Sequence, residues 1–129
     1  MNQQAAASEY LVISRGKWEQ DAAPAAIQRA IDAFYTWHDR LVAEGKMRAG
    51  QRLAPDAKLV AKNGITDGPF AETKEFIGGY WFIYAESLEA AAQIASGNPC
   101  LAYGLAFEIR PIELVKASAF TTTCETPKR

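Results

Sequence analysis

The residues best suited to chemistry are concentrated in one segment, 67–75, which reads Asp-Gly-Pro-Phe-Ala-Glu-Thr-Lys-Glu. Gly68 and Pro69 predict a tight turn, because proline fixes its own φ and disfavours helical backbone in the residue before it. Asp67 stands in front of this turn, where an aspartate can accept hydrogen bonds from the amides that follow. The segment therefore places charged side chains on a fixed bend of the backbone.

Charged groups and aromatic rings lie together after the turn. Glu72, Lys74 and Glu75 carry the charges, and Phe70 and Phe76 supply the rings. A carboxyl group held against aromatic rings can have a raised pKa, which suits it to proton transfer near neutral pH. We predict that Phe70, Glu72, Lys74 and Phe76 bind a substrate, with Lys74 on its anionic part and Glu75 as a catalytic group.

Each of these residues also has an ordinary structural interpretation. Asp67 could do no more than cap the turn, since an aspartate before Gly-Pro commonly has that role. The charges of 72–75 could form a solvated surface. Asp67 is therefore both a predicted turn cap and a candidate catalytic residue.

The one histidine of the chain, His38, is a further candidate catalytic residue. Imidazole is the side chain that ordinarily titrates nearest to physiological pH, so a histidine in a cleft can act as an acid or a base. Helical spacing places His38 beside Trp37, on or next to an apolar stripe, where a structural histidine is also common. Trp37 and Tyr80 complete the predicted binding residues.

No metal and no cofactor is predicted. A lone histidine among scattered carboxylates lacks the spacing of a metal site, and the sequence contains no glycine-rich phosphate loop. The 14 Lys and Arg residues nearly balance the 15 Asp and Glu residues and form no basic stripe. This distribution disfavours nucleic acid as a partner.

Composition also predicts a location. The longest apolar run, 80–85, is far too short to cross a bilayer, and residues 1–9 show no signal-peptide pattern. Cys100 and Cys124 form no CxxC pair, so reduced thiols in a cytoplasm are the simplest interpretation. We expect a cytoplasmic protein without a membrane partner.

The elements that must position these residues follow from local signals. With 129 residues, 49% of them apolar, we expect a single domain over 1–129 with a core at about 9–115. Proline in a first turn, glycine after a last turn and a serine cap delimit two helices. The predicted order is a strand at 10–13, a helix at 24–44, a weak strand at 46–53, a hairpin at Asn63-Gly64, a strand at 80–85, a short helix after Ser87 and a strand at 104–109.

This order predicts an α+β fold of the ferredoxin-like split βαβ type with an antiparallel sheet. Two helices cover only one face of such a sheet. Strand 80–85 nevertheless alternates large apolar side chains onto both faces, and an uncovered aromatic face would be an unusually large exposed patch. We therefore predict a homodimer in which a second copy covers the face that the helices leave open.

The segment 67–75, with Gly-Gly-Tyr at 78–80 and Glu-Ile-Arg-Pro at 108–111, resembles the DGPF branch of the YCII-related proteins. The resemblance spans nearly all of residues 9–115. It implies a dimeric α/β barrel, in which two ferredoxin-like sheets face each other and a cleft between sheet, helices and inserted hairpin holds the ligand. Wider relatives include cofactor-independent monooxygenases and lyases, and many DGPF proteins are encoded near extracytoplasmic-function sigma factors.

A His-Asp pair is thought to act in some YCII-related proteins, with the histidine on the first helix near the position of Phe34. This chain departs from that pattern, because His38 lies one helical turn later on the same face. Asp56, in the turn Ala54-Pro55-Asp56, is the nearest candidate for the acidic partner.

Two functions remain as alternatives. The first is a small-molecule-binding protein or cofactor-independent enzyme that acts on a small, aromatic or anionic metabolite. The second is a non-catalytic regulatory accessory protein whose same surface binds a protein partner such as a sigma factor. A closed cavity with convergent polar groups would favour the first.

Overall fold

The chain folds around a four-stranded sheet with two α-helices on one face. The computed structural model describes residues 7–67 and 77–127. In chain order the elements are β1 (Ser8–Arg15), α1 (Pro24–Ala43), β2 (Met47–Arg52), β3 (Lys58–Ala61), β4 (Gly64–Asp67), β5 (Ile77–Ala85), α2 (Leu88–Ala95) and β6 (Ala106–Pro111). A short 3₁₀ helix, Pro99–Tyr103, lies between α2 and β6.

The main sheet has the strand order β2-β5-β1-β6, and each neighbouring pair is antiparallel. α1 connects β1 to β2, and α2 lies between β5 and β6. The predicted α+β class and antiparallel sheet are therefore confirmed, and the strand order is consistent with a ferredoxin-like fold.

The two helices lie where the sequence signals placed them. α1 begins at Pro24, and Gly45 follows its last turn with a φ of 77°. α2 begins after Ser87, whose hydroxyl oxygen accepts a hydrogen bond from the Ala90 amide at 3.1 Å. This contact satisfies an amide that the helix itself leaves without a partner.

The strands alternate between a covered and an open face, as the sequence predicted. In β5, Trp81, Ile83 and Ala85 are buried under the helices, and Val12 of β1 joins them with no exposed surface. The residues between them on β5 are only half-buried and point the other way: Tyr80, Phe82 and Tyr84. The core therefore lies between the sheet and the helices, and the opposite face of the sheet remains partly exposed in the single chain.

The predicted hairpin at Asn63-Gly64 is confirmed as the pair β3–β4, but its turn lies one residue earlier. Ala61 pairs with Gly64, so Lys62 and Asn63 form the turn and Gly64, with a φ of 132°, begins β4. All residues of β3 and β4 are exposed, so this hairpin does not rest on the main sheet of its own chain. The turn that the sequence predicted at 68–69 lies outside the described residues.

Candidate functional site

A cleft of about 780 Å³ opens between α1 and the part of the sheet where β2 ends and β5 begins. Ligand pockets for metabolites have volumes of this order. Its walls also include the turn before β6. The described lining includes several aromatic residues: Trp18, Phe34, Tyr35, Tyr80, Trp81 and Phe107.

One crosswise row of the sheet forms the floor of this cleft. Arg52 pairs with Gly79, Gly79 pairs with Ser14, and Ser14 pairs with Phe107. Paired residues on neighbouring strands point to the same face, and Ser14 is on the face that the helices cover. The floor therefore presents a cation, a buried glycine, a hydroxyl and a ring, in that order across the four strands.

Glycines shape this floor. A Cβ at Gly50 would lie 2.0 Å from the Tyr80 carbonyl oxygen, and one at Gly79 would lie 2.8 Å from a β2 carbonyl oxygen. A Cβ at Gly78 would meet only the Ser14 hydroxyl oxygen, at 3.8 Å. The backbones of β2 and β5 thus approach closely at Gly79, whereas Gly78 leaves open space inside the cleft.

His38 lies on the α1 wall of the cleft, and neighbouring side chains fix the orientation of its imidazole ring. Its Nδ1 is 3.1 Å from Asp39 Oδ1, and its ring centroid lies 5.4 Å from that of Phe34 and 6.4 Å from that of Trp81. Within residues 7–67 and 77–127, His38 Nε2 has no hydrogen-bond partner, although the atom is not wholly buried. In the tautomer that donates from Nδ1 to Asp39, Nε2 is an available proton acceptor.

Other polar groups of the cleft are less suited to react. Asn98 Oδ1 accepts from the Cys100 amide at 2.9 Å, which fixes the start of the 3₁₀ helix. Burial raises the pKa of the Cys100 thiol, so this group stays protonated and is a poor nucleophile. The buried Trp81 Nε1 has no hydrogen-bond partner among the described residues. All three residues serve mainly as parts of the wall.

The charged residues in the described lining of the cleft are basic. Lys17 and Arg52 line it, whereas no aspartate or glutamate is among its described lining residues. Both cationic residues are exposed at their positions. Arg52 therefore brings a positive charge to the end of the row that forms the floor.

The predicted site residues are found in several places. His38 and Tyr80 line the cleft, but the Tyr80 ring contacts Phe82, at 5.9 Å between centroids, on the opposite face of the sheet. Trp37 packs against Phe34 and beside Gly97 in the core next to the cleft. Five further predicted residues lie outside the described part of the chain: Phe70, Glu72, Lys74, Glu75 and Phe76.

Asp67 lies away from His38 in the structure. Its carboxylate pairs with the Lys58 ammonium group at the end of the exposed hairpin, and its side chain is 81% exposed. Together with Asp56, these two residues border a separate shallow hollow. The acidic partner that the structure gives His38 is consequently its chain neighbour Asp39, and not Asp56 as predicted, because the 54–56 turn is directed toward the hairpin.

Several cleft residues were not identified from the sequence. Ser14 and Arg52 stand at strand ends, where a serine and an arginine are ordinary residues. Asn98 and Phe107 belong to a turn and a strand with no catalytic pattern. Gly78-Gly79 is the sequence signal nearest to them, because glycine inside a strand often marks a site where a ligand or another backbone approaches closely.

Within residues 7–67 and 77–127 there is no group of three or more His, Cys, Asp or Glu residues that could hold a metal ion. The same part of the chain contains no helix both long enough and apolar enough to traverse a lipid bilayer. Both described cysteines, Cys100 and Cys124, are free.

Comparison with known proteins places this architecture in a family. The chain is 36% identical over 87 residues to an uncharacterised protein of Rhizobium meliloti (strain 1021), and the match covers 60% of this chain and 68% of the relative. Residues 9–116 match the YCII-related domain, and these residues contain the whole sheet except the start of β1, both helices and the cleft. The chain therefore belongs to the YCII-related family.

Proposed function

We propose that this protein binds a small, aromatic or apolar metabolite with an anionic group in the cleft between α1 and the sheet. The observation that carries the proposal is the position of His38, whose Nδ1 is held by Asp39 while Nε2 remains available beside a cleft of about 780 Å³. Aromatic walls supply apolar burial, and the described lining has basic but no acidic residues. Such a site can bind and orient a ring with a negative charge.

His38 would then act on the bound metabolite as a general acid–base catalyst. A positioned imidazole accelerates proton transfer by about 10²- to 10⁴-fold. Asp39 would hold the imidazole in the tautomer that presents Nε2. This chemistry is sufficient for an isomerase, lyase or hydrolase that needs no cofactor, and Glu75 and Lys74 remain proposed contributors from the segment 67–75.

We further propose that a second copy of the chain covers the open face of the sheet. At the centre of this face, Leu11 pairs with Phe82 and Ile13 pairs with Tyr80, so four apolar side chains form one patch. Burial of this patch would favour association because apolar surface leaves water. The resulting homodimer of two facing sheets would be the dimeric α/β barrel that the DGPF resemblance implies.

Ion pairs surround the apolar patch on the open face. Arg48 pairs with Glu9 at 2.7 Å on one side, and Glu108 pairs with Arg15 at 2.5 Å and with Arg110 at 3.2 Å on the other. An apolar centre with a polar rim is the usual organisation of a protein interface. This distribution of residues supports the homodimer proposal.

A regulatory role without catalysis is the second candidate function. The DGPF branch and the cytoplasmic location that the sequence suggested also remain proposals. The β3–β4 hairpin favours it, because Val60 and Ile65 pair on one face of the hairpin and are 74% and 66% exposed. Exposed apolar pairs on a projecting hairpin are suited to contact another protein. A protein such as a sigma factor would then bind the hairpin and not the cleft.

A thermal-shift screen of acidic aromatic metabolites tests the cleft proposal. Compounds that stabilise the parent should fail to stabilise Gly78→Val, because the new side chain occupies open cleft space at a residue whose φ is not in the left-handed region. Thr66→Val, a matched change on the exposed hairpin, should bind like the parent. Equal stabilisation of Gly78→Val and the parent would show that these compounds bind elsewhere.

The same screen separates the two candidate functions. The compounds that the screen identifies should be consumed, or should exchange protons with solvent, in the presence of the parent, and NMR follows both processes. His38→Gln should bind these compounds but should not consume them or promote the exchange. If no compound binds the parent and a protein encoded by an adjacent gene co-purifies with it, the regulatory function is favoured.

A further inference from the structure

Arg52 and Ser14 stand on either side of Gly79 in the row that forms the cleft floor. Neighbouring strands are about 4.8 Å apart, so the two residues are separated by roughly 10 Å across a position that has no side chain. The arginine side chain is long enough to reach over most of that separation. Gly79 itself is buried, so the open space lies at its neighbour Gly78, and an anionic group placed there is within reach of both the guanidinium and the hydroxyl.

The Ser14 hydroxyl is directed into this open space. Ser14 is 8% exposed, yet its oxygen has no hydrogen-bond partner in the described part of the chain and is not wholly buried. The nearest heavy atom to a Cβ built at Gly78 is this same oxygen, at 3.8 Å. A buried hydroxyl that borders a cleft and has no partner among the described residues is suited to donate to a ligand.

Arg52 supplies the charge at the other side of the same gap. It lines the cleft, and the structure shows it no carboxylate partner among residues 7–67 and 77–127. Its guanidinium can donate two parallel hydrogen bonds to a carboxylate, which a lysine cannot do. Within this row, one cation and one hydroxyl match a singly charged planar group better than a doubly charged phosphate, and the second cation of the lining, Lys17, belongs to the loop after β1.

We propose that the ligand of this protein is a carboxylate that carries an aromatic ring, with the carboxylate group beside Gly78, between Arg52 and Ser14. The aromatic part of the ligand then lies toward Phe34, Trp81 and Phe107. The Trp81 ring centroid is 5.1 Å from that of Phe34 and 5.5 Å from that of Phe107. The proposal rests on the proposed function of the cleft, and it identifies the substrate class and the residues that select it.

The experiment compares acids with their uncharged analogues. Kd values for 3-phenylpropionate, 4-hydroxyphenylacetate and benzoate, for their amides and for phenyl phosphate are measured by calorimetry on the parent, Arg52→Gln, Ser14→Ala and Arg29→Gln. Arg29 is an exposed arginine of α1 outside the cleft lining, so its variant controls for the loss of one positive charge. Circular dichroism establishes that each variant is folded.

The parent should bind at least one acid in preference to its amide and to phenyl phosphate. Arg52→Gln should weaken binding of the acid by about ten- to a hundredfold and leave binding of the amide unchanged, because a charge-assisted hydrogen-bond pair is lost. Ser14→Ala should weaken binding of the acid by a smaller factor, and Arg29→Gln should bind the acid as tightly as the parent does.

Two results would overturn the carboxylate assignment: an unchanged preference for the acid in Arg52→Gln, or a parent that binds none of the acids. The Gly78→Val variant distinguishes this failure from failure of the cleft itself. If Gly78→Val loses ligand but Arg52→Gln does not, the cleft is correct and the role of Arg52 is wrong. If neither variant loses ligand, both assignments are wrong.

Discussion

His38 Nδ1 lies 3.1 Å from Asp39 Oδ1, so the only histidine is oriented by the residue that follows it in the chain. Because the carboxylate accepts from Nδ1, neutral His38 should be the Nδ1–H tautomer. Nitrogen-15 NMR at about pH 9, where free imidazole is neutral, should show this tautomer in the parent. Asp39→Ala should shift the population toward Nε2–H, and Asp32→Ala, an exposed change on the same helix, should not.

Dominance of the Nε2–H tautomer in the parent would contradict the orientation proposed for catalysis. With a single histidine in the chain, the nitrogen signals need no assignment by mutation. The measurement therefore tests the site independently of any substrate.

Gly50 should tolerate no side chain. A Cβ there would lie 2.0 Å from the Tyr80 carbonyl oxygen, so Gly50→Ala must displace β2 from β5 at an estimated cost of about 2–4 kcal/mol. Gly78→Ala is the matched control, since its Cβ meets only the Ser14 hydroxyl at 3.8 Å, and its cost should stay below about 1 kcal/mol. Urea denaturation of the two variants measures the difference, and equal midpoints would refute the close contact between Gly50 and the Tyr80 carbonyl group.

The homodimer proposal predicts a specific response to one charge on the open face. Leu11→Glu places a carboxylate in the apolar patch beside Phe82, so light scattering should show a dimer for the parent and a monomer for the variant. Leu114→Glu is the control, because Leu114 is 91% exposed and lies beyond the sheet. A parent that is monomeric at micromolar concentration would exclude the dimeric barrel.

Asp67 has two possible contributions to stability, and a pair of variants separates them. The structure shows an exposed ion pair with Lys58, which contributes at most about 1 kcal/mol, and the sequence predicts a turn cap of similar size. Asp67→Ala should lower the free energy of unfolding by about 1 kcal/mol if the cap exists. Lys58→Ala should lower the free energy of unfolding by less than Asp67→Ala does. Equal losses in the two variants would show that Asp67 contributes no turn cap.

Glu108 should make stability depend on pH in the acid range. Hydrogen bonds from Arg15 first and from Arg110 second lower the pKa of Glu108 below its ordinary value of 4.5. The folded state therefore binds the proton less readily than the unfolded chain, so this contribution is present above pH 4.5 and is lost as the pH falls through the lowered pKa.

Glu108→Gln tests the acid dependence directly. The variant should be less stable than the parent at pH 7, and the difference should shrink as the pH falls below 4.5. Glu125→Gln, an exposed change in the C-terminal tail, should keep the parent's pH profile. A constant difference between Glu108→Gln and the parent at all pH values would contradict the role of these ion pairs.

Local signals were sufficient for the elements of the fold. Pro24, Gly45 and Ser87 delimit the helices because capping depends on residues within one turn of a helix end. The alternation in β5 identified a two-sided strand because side chains on a strand point to alternate faces. The hairpin turn differed by one residue, since the Asn-Gly signal alone does not specify which two residues form the turn.

The candidate site required information that sequence spacing does not contain. His38 was identified because it is a single titratable residue on a recognisable helix, and the structure placed it in the cleft. The partner expected for it, Asp56, was wrong because loop directions depend on contacts made elsewhere in the fold.

The sequence by itself determined the helix ends, the two-sided strand, the chain order of the elements and a histidine on the buried helix face. Each of these depends on residues close together in the chain. Only the tertiary structure decided that Arg52, Gly79, Ser14 and Phe107 form one row across four strands. Strand register brings these distant residues together, and a shift of one residue would turn each side chain to the opposite face of the sheet.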